Sequence, residues 1–274
     1  MIYKKLLVVI VIALLLPGAP AVRAAGENGA ETVGSIPYLL IAAGDKNSQS
    51  EECSLGNAVA DAVRLYLNSD IAIVCGGDLA GNLLSGDVTW DTLRGVFAED
   101  RPLATATVTI RQLRELLEAG LSHIVMDDTE RIDVQASMYE GFPQISGFTV
   151  RYDASALSGG RVFDISIGGT RMRPDDETTT VTLAATSFML EGGYGLPIVA
   201  DTIAPSGKTL VEVMARYISD GVGDYRNTGE RIRAAGTADV PVSGLLIGGV
   251  IVVAILLSWS RRKRMLKRFT NFDR

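Results

Sequence analysis

The chain has 274 residues, 47% of them hydrophobic, so it can form one large domain or two small ones with an ample core. Its formal net charge of −6 disfavours nucleic acid as a partner. The two cysteines, Cys53 and Cys75, do not form a Cys-x-x-Cys pair, so their spacing gives no support for a zinc site or a redox motif.

The two ends of the chain have the pattern of an exported protein that is held in a membrane. Residues 6–16 are an unbroken apolar run after two lysines, and small residues for cleavage occur within positions 22–25, as in a secretory signal peptide. Residues 242–260 carry no charge, and at ~1.5 Å per residue a helix of this length crosses a hydrocarbon core. Four basic residues follow at 261–264, so the positive-inside rule places the tail in the cytoplasm. A buried core helix is the alternative interpretation of 242–260.

The predicted organisation is a signal peptide at 1–24, a disordered leader at 25–32, an extracytoplasmic domain at 33–235, a linker at 236–241, a transmembrane helix at 242–260 and a basic cytoplasmic tail at 261–274. The two ends hold ten of the 26 basic residues and one of the 32 acidic residues. The region between them therefore has a net charge of −15 and repels nucleic acid and anionic membrane surfaces.

The stretch from Glu52 to Asp78 is the predicted centre of the domain. Ser54 is a good N-cap, and apolar residues recur after it at the helical period as far as Tyr66. Residues 71–74 are apolar and mostly β-branched, as in a strand that is covered on both faces. Gly76 and Gly77 then let the backbone turn at the end of that strand, which is where sheets of this type bind ligands.

Cys53 and Cys75 flank this helix and strand, and on an exported chain they are a candidate disulfide. The bridge would close a loop of about 23 residues and stabilise the fold by about 3 kcal/mol. Two buried free thiols are the alternative.

The remaining elements follow from periodicity and turn residues. Thr109 and Gln112 predict a capping box for a helix over 110–119. Residues 79–87 and 121–138 read as loops, and Thr89 caps a short helix that reaches about residue 97. A late helix is predicted over 210–218. The other predicted strands are 36–42, 103–108, 145–152, 162–167 and 178–185.

Several short motifs occur in the order found in one known family. These are ECSLGN at 52–57, DIAIV at 70–74 before Gly76-Gly77, GDVT at 86–89, FPQISGF at 142–148 and SFML at 187–190 before EGGYG. The chain resembles the C-terminal domain of the 5′-nucleotidase and UDP-sugar hydrolase family over roughly residues 33–233. The resemblance implies an α+β single domain with a mixed β-sheet and packed helices, to which the C-terminal transmembrane helix is added.

In that family the C-terminal domain binds the nucleoside or nucleotide-sugar part of the substrate. Hydrolysis belongs to a separate N-terminal metallophosphoesterase domain, where two metal ions activate water. Those metals need several His and Asp ligands, whereas this chain has a single histidine, His123, which we interpret as a surface or packing residue. We therefore expect no catalytic residues, no metal and no cofactor in this chain.

The family's ligand positions can be compared with this sequence one by one. Gln49 stands where the family has an arginine, and Cys75 and Ala80 stand where an asparagine and an arginine contact the ligand. Asp78 brings an additional acid into the same motif. Glu99 falls near one of the two rings that stack on the base, Phe188 matches the other, and Tyr194 replaces the aspartate that binds the ribose.

The candidate ligand-binding residues are Phe188, Tyr194, Gly76, Gly77, Asp78 and Gln49. Phe188 and Tyr194 can form an aromatic surface for a planar ligand, or they can be core and interface residues. Our first hypothesis is a non-catalytic ligand-binding or accessory module. The alternatives are the substrate-binding half of a two-chain nucleotidase, whose partner is an exported metallophosphoesterase, and a ligand-free structural module for another envelope protein.

Topology can be tested directly. Protease added to intact cells or protoplasts should digest the chain from residue 26 to about residue 239 and leave a small fragment with the tail. An antibody against the tail should bind only after the membrane is permeabilised, and binding without permeabilisation would refute this topology.

Overall fold

The computed structural model describes residues 29–44, 47–129, 131–198 and 200–235. The predicted signal peptide, transmembrane helix and basic tail lie outside these residues. Within the described ranges no helix combines the length and apolar character needed to cross a membrane.

The helices of this part of the chain are α1 (Ser54–Tyr66), α2 (Trp90–Arg94), α3 (Ile110–Gly120), α4 (Ser187–Leu190) and α5 (Leu210–Asp220), with 3₁₀ turns at Gly76–Asp78 and Gly193–Gly195. The strands are β1 (Thr32–Ile36), β2 (Ile71–Cys75), β3 (Gly86–Thr89), β4 (Pro102–Thr109), β5 (Pro143–Ser146), β6 (Phe148–Tyr152), β7 (Val162–Ile167), β8 (Thr170–Met172), β9 (Thr180–Thr186), β10 (Ile203–Thr209) and β11 (Ile232–Ala234).

A mixed five-stranded sheet in the order β10-β4-β9-β2-β5 is the central layer. Strands β2 and β9 run parallel, and the other neighbours in this sheet are antiparallel. A second sheet has the order β11-β6-β7-β8, and β1 pairs with β3 in a two-stranded sheet. The predicted α+β domain with a mixed sheet is confirmed.

The central sheet has a hydrophobic core on each face, because every residue of β2 is buried. Ile71, Ile73 and Cys75 point into one core together with residues of α3 and the second sheet. Ala72 and Val74 point into the other core, with residues of α1 and α5. Successive side chains of a strand alternate between its faces, so this one strand contributes to both cores.

The same alternation explains why the predicted disulfide is not formed. Cys53 lies with α1 in one core and Cys75 lies in the other, so the sheet separates the two side chains. Both are buried free thiols, and burial raises the pKa of Cys53 to about 12 and that of Cys75 well above its ordinary value. Cys53 is also the N-cap of α1, while the Ser54 hydroxyl accepts a hydrogen bond from the Ile41 backbone instead of capping the helix.

Several predicted element boundaries need correction. The first strand lies earlier in the chain than the predicted 36–42, since β1 covers Thr32–Ile36. The end of the predicted disordered leader is ordered, because the Gly29 and Glu31 carbonyls accept hydrogen bonds from α2. The strand predicted at 145–152 is divided into β5 and β6 at Gly147, whose φ is 86°. A Cβ there would lie 2.3 Å from the Asp70 carbonyl oxygen, so only glycine fits.

The sequence pattern missed four strands, β3, β8, β10 and β11. Strands β8 and β11 have three residues each, and β3 buries only Val88, so none shows a readable alternation. Strand β10 contains Pro205 and Gly207, which are tolerated because it is an edge strand.

Two acids, the buried Glu52 and the partly buried Asp61, attach the last strand, β11, to the body of the domain. The Glu52 carboxylate accepts hydrogen bonds from the backbone N–H groups of Arg231 (2.8 Å) and Ile232 (2.9 Å). Asp61 binds the Arg231 guanidinium through both of its oxygens, at 2.8 and 2.9 Å. Burial raises the pKa of Asp61, but hydrogen bonds from Arg231 and Ser146 outweigh it and hold that pKa below its ordinary value.

The free thiols give a direct test of this arrangement. Labelling of the unfolded, unreduced protein should find both cysteines reactive, because the sheet separates them in the fold. A reducing agent should leave the melting temperature of the folded protein unchanged. If neither cysteine were labelled before reduction and both were labelled after it, the fold around β2 would be contradicted.

Candidate functional site

The candidate site lies at one edge of the central sheet, where three neighbouring strands bring their connecting loops together. Strands β2 and β9 are parallel, so their carboxyl ends lie at the same edge. Strand β4 runs antiparallel to β9 and therefore begins there. This topology gathers Asp78 after β2, Phe188 and Tyr194 after β9, and Arg101 before β4.

The Asp78 carboxyl group is fully buried at this edge. The Tyr194 hydroxyl donates a hydrogen bond to its Oδ1 at 2.9 Å, and the Cys75 backbone N–H donates to Oδ2 at 3.3 Å. The Arg101 Nε atom lies 3.1 Å from Oδ1. Burial raises the pKa of Asp78 to about 6, against the opposing effects of the Tyr194 hydrogen bond and the Arg101 charge.

Arg101 lies over the ring of Phe188. Its Cζ atom is 3.7 Å from the Phe188 ring centroid and 5.6 Å from that of Tyr194, and its Nη2 atom is 3.2 Å from Glu99 Oε2. The Nε–H bond is not directed at a hydrogen-bond acceptor, so the contact with Asp78 is a close ion pair without an aligned hydrogen bond. The guanidinium is thus held between two carboxylates and one aromatic face, and its side chain is only 14% exposed.

Phe188 and Tyr194 meet edge to face, with ring centroids 5.0 Å apart and an interplanar angle of 88°. Tyr194 has a positive φ of 57°, which is uncommon for a residue with a side chain. Its carbonyl oxygen accepts a hydrogen bond from the Tyr139 hydroxyl at 2.6 Å, and Tyr139 stacks on His123 at 4.1 Å. His123 therefore packs against the support of the aromatic pair.

The glycine-rich bend contacts other parts of the chain. Gly76 N–H donates to the Phe142 carbonyl and Gly77 N–H donates to the Glu140 carbonyl, both at 2.8 Å. A Cβ on Gly76 would lie 2.0 Å from the Ser48 carbonyl oxygen, so close backbone packing requires glycine there. The backbone N–H groups of both glycines thus donate to carbonyls of the same chain, and their contact with a ligand stays a prediction.

The structure brings three of the predicted site residues together, namely Asp78, Phe188 and Tyr194. Gln49 contacts the glycine-rich bend instead. Its backbone packs on Gly76, and its carbonyl accepts a hydrogen bond from Tyr139 N–H. Arg101 is the residue that sequence reasoning missed. The signal for it was Asp78 itself, since an acid at the end of a buried strand needs a cation, and Arg101 lies two residues beyond Glu99.

The described residues contain no group of three or more His, Cys, Asp or Glu side chains that could hold a metal ion. The charged groups of the site are Asp78, Glu99 and Arg101, so its chemistry is that of ion pairing and ring stacking.

A family model described as "5′-nucleotidase, C-terminal domain" matches residues 32–201, which is more than half of the chain. The chain belongs to the 5′-nucleotidase C-terminal domain family. Membership confirms the resemblance drawn from the motifs.

Solved structures of similar fold align with about three quarters of this chain. The 5′-nucleotidase precursor from Thermus thermophilus aligns with 74% of it at a TM-score of 0.62 and 19% identity. The Haemophilus influenzae NAD nucleotidase aligns with 76% of it at a TM-score of 0.59 and 14% identity. In each case 39% of the solved chain is covered, so these matches establish the fold alone.

Two curated relatives come from Bacillus subtilis. Endonuclease YhcR is 28% identical over 143 residues, and the trifunctional nucleotide phosphoesterase protein YfkN is 26% identical over 157 residues. The matches cover 52% and 55% of this chain but span a tenth of each relative.

The raised pKa of Asp78 predicts how stability depends on pH. A carboxyl group that holds its proton more tightly when folded stabilises the fold at low pH, and this contribution is lost as the pH rises through about 6. In chemical unfolding, the free energy of unfolding of Asp78→Asn should therefore rise by about 1–3 kcal/mol relative to that of the wild type as the pH goes from about 4 to about 7.

The matched control is Asp224→Asn, because a hydrogen bond from Arg226 lowers the pKa of the exposed Asp224 to about 2. Between about pH 4 and pH 7 that variant should therefore differ from the wild type by a nearly constant amount, because its own pH-dependent loss of stability, of the opposite sign, falls below about pH 4. A difference between Asp78→Asn and the wild type that stays flat with pH would contradict the burial of an ionisable Asp78.

Proposed function

We propose that this protein is a membrane-anchored, extracytoplasmic, non-catalytic accessory module of the 5′-nucleotidase C-terminal domain family. One observation carries the proposal. The ring face of Phe188, where the family resemblance would place a nucleoside base, is covered by Arg101 of the same chain at 3.7 Å.

The charges around Phe188 also support a role other than nucleotide hydrolysis. Asp78 and Glu99 both contact Arg101, so the site has two carboxylates for one guanidinium. The positions of the two family arginines hold Gln49 and Ala80, which carry no charge. An anionic phosphate ester would therefore meet net negative charge in a partly dry site, where repulsion is poorly screened.

The chemistry of phosphate-ester hydrolysis gives the argument against activity of the isolated chain. Attack on an anionic phosphate needs an activated water and charge stabilisation of the phosphoryl oxygens, which the family obtains from two metals. The chain has one histidine, and it stacks on Tyr139.

Membrane anchoring is supported by the sequence that follows the last described strand. Strand β11 ends at Ala234, residues 236–241 follow, and the uncharged residues 242–260 precede the basic residues of the tail. Six extended residues reach at most ~20 Å, so the domain would stay close to the membrane surface. The ion pair between Asp61 and Arg231 would fix the domain side of this connection.

The second candidate is the substrate-binding half of a two-chain nucleotidase, completed by an exported metallophosphoesterase. It is favoured by the aromatic pair, since Phe188 and Tyr194 are in contact and the resemblance would place the ligand of the family beside them. The family domain normally occurs together with a metallophosphoesterase domain, which is consistent with such a partner.

We expect the purified protein to hydrolyse neither nucleoside 5′-monophosphates nor UDP-sugars, with or without divalent metals. The assay should be repeated with candidate exported metallophosphoesterases, and a panel of nucleosides, nucleotides and UDP-sugars should be tested for binding by thermal shift. Turnover that needs both chains would favour the second candidate. Metal-dependent turnover by this chain alone, abolished by a chelator, would overturn the proposal.

A further inference from the structure

We propose that Arg101 is an internal ligand that closes the aromatic site to nucleosides. The pocket that its guanidinium fills, between Phe188, Asp78 and Glu99, is complementary to a planar cation of the guanidinium class. The inference rests on the proposed function only in taking Phe188 as the ring on which a planar ligand of this family would stack.

The first argument is the space above Phe188. A guanidinium is planar and stacks on aromatic faces, and Arg101 Cζ lies 3.7 Å from the ring centroid. This separation is ordinary contact between two stacked groups, so a nucleoside base cannot share that face of the ring. The Tyr194 ring is a second neighbour of Phe188, with the two ring planes nearly perpendicular.

The second argument is the charge around the pocket. The carboxylate of Asp78 is fully buried and depends on Arg101 for its cation, while Glu99 contacts the outer nitrogen of the same guanidinium. Without the Arg101 side chain, an aromatic face and two carboxyl groups would remain, and an entering cation would favour the ionised form of Asp78. That combination binds planar cations through ring stacking and ion pairing and repels phosphate groups.

The third argument is that only the side chain of Arg101 can move easily. Its backbone N–H donates to the Glu99 carbonyl at 3.0 Å, and its carbonyl accepts from Leu210 N–H, at the start of α5, at 3.1 Å. The site would therefore open by rotation of one side chain away from Phe188. Opening leaves Asp78 buried without its cation, which opposes entry of a neutral or anionic ligand.

The test uses the full-length protein and Arg101→Ala. Guanidinium chloride, at concentrations well below those that denature proteins, should restore part of the melting temperature that this variant loses. Sodium chloride at equal ionic strength and the neutral planar molecule urea should not. The matched control is Arg226→Ala, since Arg226 also lies over a ring, that of Tyr38 at 5.7 Å, and pairs with Asp224, but on the exposed surface. Guanidinium should raise the melting temperature of neither this control nor the wild type.

A second measurement asks whether a nucleoside binds once the Phe188 ring face is uncovered. Calorimetry should detect no adenosine binding to the wild type but should detect binding to Arg101→Ala. Adenosine 5′-monophosphate should bind that variant at least about tenfold more weakly than adenosine, because Glu99 repels the phosphate and no cation of the site remains to neutralise it.

Arg101→Ser provides the same two tests if Arg101→Ala does not fold, because its short polar side chain also leaves the Phe188 ring face open. Failure of guanidinium to restore either variant, or equal restoration of Arg226→Ala, would overturn the inference. So would adenosine binding by the wild type as tight as by the variants. The hydrolysis assays report on the proposed function separately, since absence of turnover does not depend on Arg101.

Discussion

Strand β2 is the constraint on which the rest of the domain depends, because all five of its residues are buried. A strand buried on both faces needs a separate apolar layer against each, and here α1 with α5 supplies one and α3 with the second sheet supplies the other. Its parallel pairing with β9 places the carboxyl ends of both strands at one edge. Asp78, Phe188 and Tyr194 come from the loops at that edge, so the location of the site follows from the sheet.

Burial of one carboxylate then decides the chemistry of the site. Asp78 is withdrawn from water and has Tyr194, the Cys75 backbone and Arg101 as its partners. An isolated buried charge is costly, and Arg101 meets that need while its guanidinium rests on Phe188. The edge of the sheet in this chain thus holds two carboxylates, one guanidinium and an aromatic face in mutual contact.

The connection towards the predicted membrane anchor depends on a different set of ion pairs and hydrogen bonds. Glu52 and Asp61, on either side of the start of α1, hold the Arg231 backbone and guanidinium and so fix β11 beside β6. The same helix packs on β2. The organising helix thus connects the central sheet to the last described strand, and through it to the residues that lead towards the predicted span.

The sequence by itself determined the family, the buried strand β2, the capped helix α3 and the late helix α5. These are local patterns, which a single chain displays without its fold. Only the tertiary structure decided that Cys53 and Cys75 face different cores, that Gly147 divides one predicted strand into two, and that Arg101 covers Phe188. Each of these depends on which face a side chain takes or on contacts between residues distant in the chain, and short-range periodicity contains no information about either.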